Sequence, residues 1–208
     1  MKKLLRPAAW LVAVFALLLQ ACSSTPQPAA DGLAAARSYD ARQKALASRE
    51  TWSLRARLAV SDGEDGGSGS LHWAVGEAGA RMNFHGALGR GAWRLESSAR
   101  GARLELADGS SYEAQTAAEL AARQLDWTVP VDALSWWVRG LAAPGAVEYR
   151  ELGADGTLVF LRQQGWNIEY GRFREVDGVV LPVKLAARQS GRTVKLVIRE
   201  WQLGSEDG

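Results

Sequence analysis

The spacing of hydrophobic residues changes character along the chain. From Ala8 to Leu19 they run unbroken by charge, a stretch shorter than the roughly 20 apolar residues a membrane-spanning helix needs. Lys2, Lys3 and Arg6 precede the run, and Ala21 and Cys22 follow it. A basic start, an apolar middle and a small residue before the cut make a secretory signal over residues 1–21. Residues 22–30, with Pro26 and Pro28 and no periodicity, read as a tether. From Asp31 to Arg49 the residues Leu33, Ala36, Tyr39 and Leu46 fall at helical spacing, with Asp31 or Ser38 as the cap.

After Glu50 the period becomes two. Trp52, Leu54, Ala56, Leu58 and Val60 alternate with Ser53, Arg55, Arg57 and Ala59, which predicts a strand with one buried face. Turn-forming residues 61–67 lead to a second alternation, Leu71, Trp73 and Val75, and Gly76 to Gly79 turns the chain into Met82 and Phe84. Beyond the turn from His85 to Gly89, Trp93 with Leu95 and Leu104 with Leu106 repeat the pattern. Asp108-Gly109 makes a hairpin turn, and Tyr112 sits on a short sixth strand.

The middle returns to helical spacing. Thr116-Ala117-Ala118-Glu119 fits a capping box before Leu120, Ala121 and Leu125. Thr128-Val129-Pro130 opens a second helix, Val131 to Leu141, where Leu134, Trp137, Val138 and Leu141 share one face and Gly140 supplies a left-handed cap. Five more strands follow, near Val147–Leu152, Leu158–Gln163, Trp166–Phe173, Val179–Arg188 and Thr193–Leu203. In the last, Val194, Leu196 and Ile198 share a phase that Trp201 and Leu203 leave, which a bulge near Glu200 or the end of the strand would explain.

The pattern predicts a mainly β domain over residues 31–208: an antiparallel sheet of about eleven strands, an N-terminal helix and an inserted helical pair. A single sheet this long must curl and cover its apolar face, and the Val131–Leu141 helix is the cover. Such a curled sheet holds an elongated apolar ligand or is filled by its own side chains. Periodicity leaves both open.

Composition narrows this. The chain has 25 basic and 23 acidic residues, and three of the basic ones lie in the signal, so the remainder is near neutral. Nothing calls for nucleic acid. Cys22 is the one cysteine, so packing alone holds the fold. The nine tryptophans suit a bulky core or a ligand cavity. His72 on a polar strand phase and His85 beside a turn read as solvated residues, and with no further cysteine they predict no metal site. No Gly-x-Ser-x-Gly elbow or phosphate loop occurs, so neither an enzyme nor a cofactor is expected.

Leu19-Gln20-Ala21-Cys22 resembles the bacterial lipobox, which implies that Cys22 carries the lipid and begins the mature chain. Ser23, where an aspartate is absent, resembles the pattern of outer-membrane sorting, and implies a protein anchored there on the periplasmic side. Further motifs are similar to the LolB family: Trp52-x-Leu54-x-x-Arg57-Leu58-Ala59-Val60, Gly69-Ser70-Leu71-His72-Trp73, and Val129-Pro130-Val131-x-x-Leu134-x-x-Trp137-x-x-Gly140-Leu141. Gly165-Trp166-x-Ile168-x-Tyr170, Leu181-Pro182-x-Lys184-Leu185 and Lys195-Leu196-x-Ile198-x-x-Trp201 continue the resemblance. Ala56 departs from it, standing where the family commonly has glycine, and Leu141 to Pro144 forms an extended segment.

The resemblance implies an unclosed antiparallel β-barrel with a helical lid. It implies a receptor that accepts lipoproteins from the periplasmic carrier LolA and inserts them into the inner leaflet of the outer membrane without ATP or metal. The expected partners are LolA, the acyl chains of client lipoproteins and outer-membrane phospholipid, with the protein a monomer. Gly86-Ala87-Leu88-Gly89 corresponds to the family's membrane-delivery loop, and Leu88 to its exposed leucine. On this reading Trp73, Phe84, Trp93, Trp166 and Tyr170 are acyl-chain cavity candidates. Leu134, Trp136, Trp137, Val138 and Leu141 are lid candidates, and core packing stays open for each aromatic. Two other classes remain: a structural or regulatory periplasm-facing lipoprotein that binds a protein or another lipid, and a lipid hydrolase.

Overall fold

The computed structural model describes residues 28–63, 65–86, 91–125 and 129–204. Residues 1–27, which hold the expected signal segment, Cys22 and most of the tether expected over 22–30, lie outside the described residues, as do Thr128 and Ala87, Leu88 and Gly89 of the expected delivery loop. Helix α1 (Pro28–Ala47) precedes β1 (Trp52–Ser61), β2 (Gly66–Gly76), β3 (Gly79–Gly86), β4 (Trp93–Ser98), β5 (Gly101–Leu106) and β6 (Ser111–Ala114). Two short helices, α2 (Ala117–Gln124) and α3 (Val131–Trp137), lead to β7 (Tyr149–Leu152) and β8 (Leu158–Gln163). The chain ends in β9 (Trp166–Val176), β10 (Val179–Gln189) and β11 (Arg192–Leu203).

These strands form one 11-stranded sheet in the order β6-β5-β4-β3-β2-β1-β11-β10-β9-β8-β7. Its two halves meet where the first and last strands pair antiparallel, from Trp52 opposite Leu203 to Ser61 opposite Thr193. The free edges β6 and β7 are consecutive in sequence, and the segment joining them carries α2 and α3. The sheet therefore does not close on itself; the helical insertion spans the gap. Both edges are only four residues long, which limits the unpaired backbone open to other strands.

Alternation along β1 buries Trp52, Leu54, Ala56 and Leu58 and exposes Arg55 and Arg57. The expected bulge is present: Arg55 pairs with Glu200 and Ala56 with Ile198, so Arg199 is the extra residue. Arg199 and Glu200 both stay exposed while Trp201 turns inward, where its indole N–H donates to the Pro182 carbonyl at 2.8 Å.

Helix α1 differs from the expectation in start and stripe. It begins at Pro28, so Asp31 and Ser38 both lie inside it and neither is its cap. Ala35, Tyr39 and Leu46 are buried, whereas Leu33 is 62% exposed. The reason is the surface that α1 packs on. Gly156, in the turn between β7 and β8, has φ +76°, and a Cβ there would stand 2.6 Å from the Ser38 Cβ and 2.7 Å from the Ala35 carbonyl. The Arg150 guanidinium covers the Tyr39 ring at 4.8 Å. These contacts bury Ala35 where hydrophobicity alone suggests Leu33 and Ala36, while Tyr39 and Leu46 lie on the expected face.

In the insertion, Thr116 caps α2, its hydroxyl accepting from the Glu119 N–H at 3.2 Å. The Pro130 carbonyl accepts from Leu134 N–H at the start of α3. That helix ends at Trp137, before the expected Leu141, and the chain turns through Gly140 at φ +76°. Leu134, Trp137, Val138 and Leu141 still point to the same interior, each fully buried.

Candidate functional site

Helix α3 and the turn after it are held down by buried hydrogen bonds. The Trp137 indole N–H donates to Gln163 Oε1 at 3.0 Å, and Gln163 Oε1 also accepts from the Ala143 N–H at 2.9 Å. Gln163 Nε2 donates to the Ala143 carbonyl at 2.7 Å. One fully buried amide on β8 thus secures both the helix and the segment beyond it. The Tyr170 hydroxyl donates to the Trp137 carbonyl at 2.9 Å, and burial pushes that hydroxyl well above its ordinary pKa of 10.0. The Tyr39 hydroxyl accepts from the Ala142 N–H at 2.9 Å; burial raises its pKa as well, against the lowering effect of that hydrogen bond and of Arg150.

Arg139 ties the same segment to α1. Its Nη1 donates to the Leu46 carbonyl and its Nε to the Ser135 carbonyl, each at 3.0 Å. The guanidinium lies 4.8 Å from the Trp136 ring and 5.6 Å from the Trp52 ring. Burial lowers its pKa to about 10, which leaves it charged at neutral pH. A cation placed over indole faces and carbonyls is stabilised by ring quadrupoles and backbone dipoles. Trp52 in turn meets Trp73 at 5.2 Å and Trp201 at 5.8 Å between ring centroids. Trp73 Nε1 has no hydrogen-bond partner among the described residues. This end of the barrel is therefore mostly filled, with a cavity of about 190 Å³ beside Trp52, Trp73, Trp136 and Arg139.

More open space lies at the other end of β1. One cavity of about 460 Å³ is bounded by Leu58, Val60, Phe84, Trp93, Leu106 and Leu125. A second, of about 310 Å³, is bounded by Val60, Leu125, Val129, Trp166 and Val194. Val60, Gly67 and Leu125 border both. Each volume is in the range of small-ligand sites; the aliphatic and aromatic walls give way at the rims to Ser61, Asp62, Asp65, Arg192 and Thr193 in the smaller cavity and to Asp108 and Gln124 in the larger. Phe84 and Trp93 stack at 5.4 Å with their planes 20° apart. Gly69, on β2, makes room for that stack: a Cβ there would fall 2.6 Å from the Phe84 ring.

The cavity candidates thus fall in three places. Phe84, Trp93 and Trp166 line the larger cavities, Trp73 borders the small one, and Tyr170 reaches α3. Of the lid candidates, Leu134, Trp137, Val138 and Leu141 are buried, while Trp136 is partly exposed beneath Arg139. Gly86 ends β3 opposite Gly69, and Ala87, Leu88 and Gly89 of the expected delivery loop lie outside the described residues. Gln163, Arg139, Val60 and Leu125 were not among the candidates. Only the polar residue ending a hydrophobic strand, Gln163, carries a signal in the sequence. Among the described residues no cluster of His, Cys, Asp and Glu is placed to hold a metal ion.

An unclosed antiparallel sheet wrapped round an apolar interior, with helices across its gap, defines the class of this protein. A LolA superfamily protein from Nitrosomonas europaea shares the fold at TM-score 0.50 and 9% identity, over 84% of this chain and 94% of that one. A DUF1329 family protein from Desulfovibrio piger matches at TM-score 0.53 and 9% identity, over 83% and 94%. Sequence takes the identification further: the chain belongs to the LolB family, whose description, "Outer membrane lipoprotein LolB", matches residues 50–201. Outer-membrane lipoprotein LolB of Pseudomonas aeruginosa PAO1 is 35% identical over 194 residues, 93% of this chain and 95% of that protein. The Stutzerimonas stutzeri relative is 31% identical over 203 residues, 97% and 96% of the two chains. The stretch Leu19-Gln20-Ala21-Cys22, which resembles a lipobox, accords with this family of outer-membrane lipoproteins.

Proposed function

We propose that this protein receives lipoproteins from the periplasmic carrier LolA, shelters their acyl chains in the interior of the open barrel, and releases them into the inner leaflet of the outer membrane. The observation that carries this reading is the pair of adjoining apolar cavities at the Val60 end, in a chain of the LolB family. Each methylene buried there contributes about 0.8 kcal/mol, so about ten methylenes supply roughly 8 kcal/mol without any specific polar contact. Indifference to client sequence follows, since only the lipid is held.

In this reading α3 is the lid. Lifting it breaks the Gln163, Tyr170 and Arg139 hydrogen bonds and joins the end cavities to the space now filled by Trp137 and Leu134. Handover from carrier to receptor runs downhill when the chains bury more surface here than in the carrier. Gly86, the first residue of Gly86-Ala87-Leu88-Gly89, ends β3 two residues beyond Phe84, and in this reading Leu88 enters the bilayer at release. The protein acts as a monomer and needs no cofactor.

Transfer is testable with the lipid-anchored protein in proteoliposomes, mixed with carrier loaded with a labelled lipoprotein. Sedimentation of label with vesicles that hold the receptor, and not with empty ones, is the expected result. Label that stays on the carrier in both cases overturns the reading.

A further inference from the structure

We propose that the outer face of β1, β2 and β11 holds a site for the phosphate of an anionic phospholipid headgroup. This site would seat the domain on the membrane beside the delivery loop. Its phosphate chemistry stands on the residues below; its place at the membrane rests on the function proposed above.

A cavity of about 250 Å³ on this face is lined by Arg55, Arg57, Ser70, His72, His85 and Arg199. Strand register makes the cluster: Arg57 sits opposite Ser70 and Ser70 opposite His85, while Arg55 sits opposite His72. The bulge in β11 adds to it, leaving Arg199 as the extra residue and keeping it on the exposed side. Both histidines of the chain are thus in one place. Glu200 reaches Arg55 at 3.7 Å, with both side chains largely in solvent, which makes a weak pair. Arg57 spends one N–H on the Ser68 hydroxyl at 3.2 Å and keeps others for a ligand.

Elsewhere on the outer face arginines have carboxylates at hand. Arg81 meets Glu96 at 2.8 Å, Arg94 meets Glu105 at 3.5 Å, and Arg103 meets Glu113 at 3.6 Å. At the β1–β2–β11 cluster three guanidiniums face one carboxylate. Lys184 adds to the excess, since it pairs with Val197, which pairs with Arg57; two strand spacings put it about 10 Å away. Guanidinium forks match phosphate oxygens, and imidazole and hydroxyl groups supply further donors. A small concave cluster fits one phosphate group better than it fits the broad surface of an acidic protein. Its position decides the source: His85 comes immediately before Gly86, where the delivery loop starts. A leucine in the hydrocarbon with cations at phosphate depth beside it is the usual arrangement of an interfacial anchor.

The two histidines make the test direct. The full lipid-anchored protein, labelled with ¹⁵N-histidine and held in dodecyl maltoside, is titrated with dihexanoyl phosphatidylglycerol, inorganic phosphate and an octaglutamate peptide. Saturable shifts of both imidazole signals with phosphatidylglycerol, at lower concentration than either other probe, are expected. The Arg57→Gln/Arg199→Gln variant should need about 30-fold more lipid, the effect of two cations near an anionic surface. Unmoved imidazole signals, equal affinity for free phosphate, or tighter binding of octaglutamate would each overturn the site. Because the readout involves no carrier, a failure of lipoprotein transfer leaves this result interpretable, and the reverse holds too.

Discussion

Replacing Gln163 with leucine tests whether α3 is the lid proposed above. The side chain is fully buried and makes three hydrogen bonds, accepting from the Trp137 indole and the Ala143 N–H and donating to the Ala143 carbonyl. Leucine keeps the volume and leaves those three groups without their partner. Each orphaned buried group costs about 1–3 kcal/mol, and relaxation brings the sum toward the lower limit, about 3 kcal/mol. The cost falls on residues 137–143, because β8 retains its backbone pairing with β7 and β9. At 1.4 kcal/mol per decade, the open form of the lid becomes about 100-fold more populated. Native-state amide exchange over residues 134–143 reads this directly, and exchange should quicken about 100-fold while the central strands change little. If opening limits entry of acyl chains, apparent affinity for a fluorescent fatty-acyl probe tightens by up to the same factor. Exchange within threefold of the parent protein would refute the latch. Faster exchange with weaker probe binding would refute its gating of the cavity.

Four further outcomes follow from the geometry. Val60→Trp pushes an indole into the wall shared by both end cavities; displacing about four methylenes costs about 3 kcal/mol, read as roughly 100-fold weaker binding of the acyl probe. Leu88→Glu should leave acceptance of lipoprotein from the carrier intact and impair its insertion into vesicles, so loss of both steps together would contradict separate roles. Gly156→Ala combines a left-handed backbone with contacts on α1, and should lower stability by about 2 kcal/mol or more, measured by urea denaturation. The raised Tyr170 pKa stabilises the fold fully below pH 10 and is lost as pH climbs, because the unfolded phenol ionises first. Above pH 10 the stability of the parent protein should therefore fall more steeply than that of Tyr170→Phe, by about 1.4 kcal/mol per pH unit.

Alternation along the strands was legible because sheet side chains repeat every two residues and one face here is dry. The bulge was legible for the same reason: Trp201 breaks a phase that Val194, Leu196 and Ile198 keep. The stripe of α1 was not, because Ala35 outranks Leu33 only through the close approach of Gly156 from a turn far along the chain. In the site, Phe84, Trp93 and Trp166 stood out as bulky residues on inward phases, but which tryptophans pack and which border space is decided by neighbours across the barrel. Trp73 meets Trp52, whereas Trp93 faces Phe84. Arg139 acts through backbone carbonyls, groups that every residue possesses and that therefore leave no mark in a sequence, and Gln163 shows there only as a polar residue ending a hydrophobic strand, without its partners. The arginine–histidine cluster needed the register of β1 against β2 and β11, since Arg57 and Arg199 are remote in sequence.

Where the client's acyl chains rest is the measurement nearest the central claim. A lipoprotein bearing a photoreactive acyl chain would be passed from the carrier to the anchored protein, irradiated, and the cross-linked residues mapped by mass spectrometry. Cross-links at Leu58, Val60, Phe84, Trp93 or Leu125 are predicted. Cross-links confined to the outer face of the sheet, with transfer complete, would contradict an acyl chain held inside the barrel.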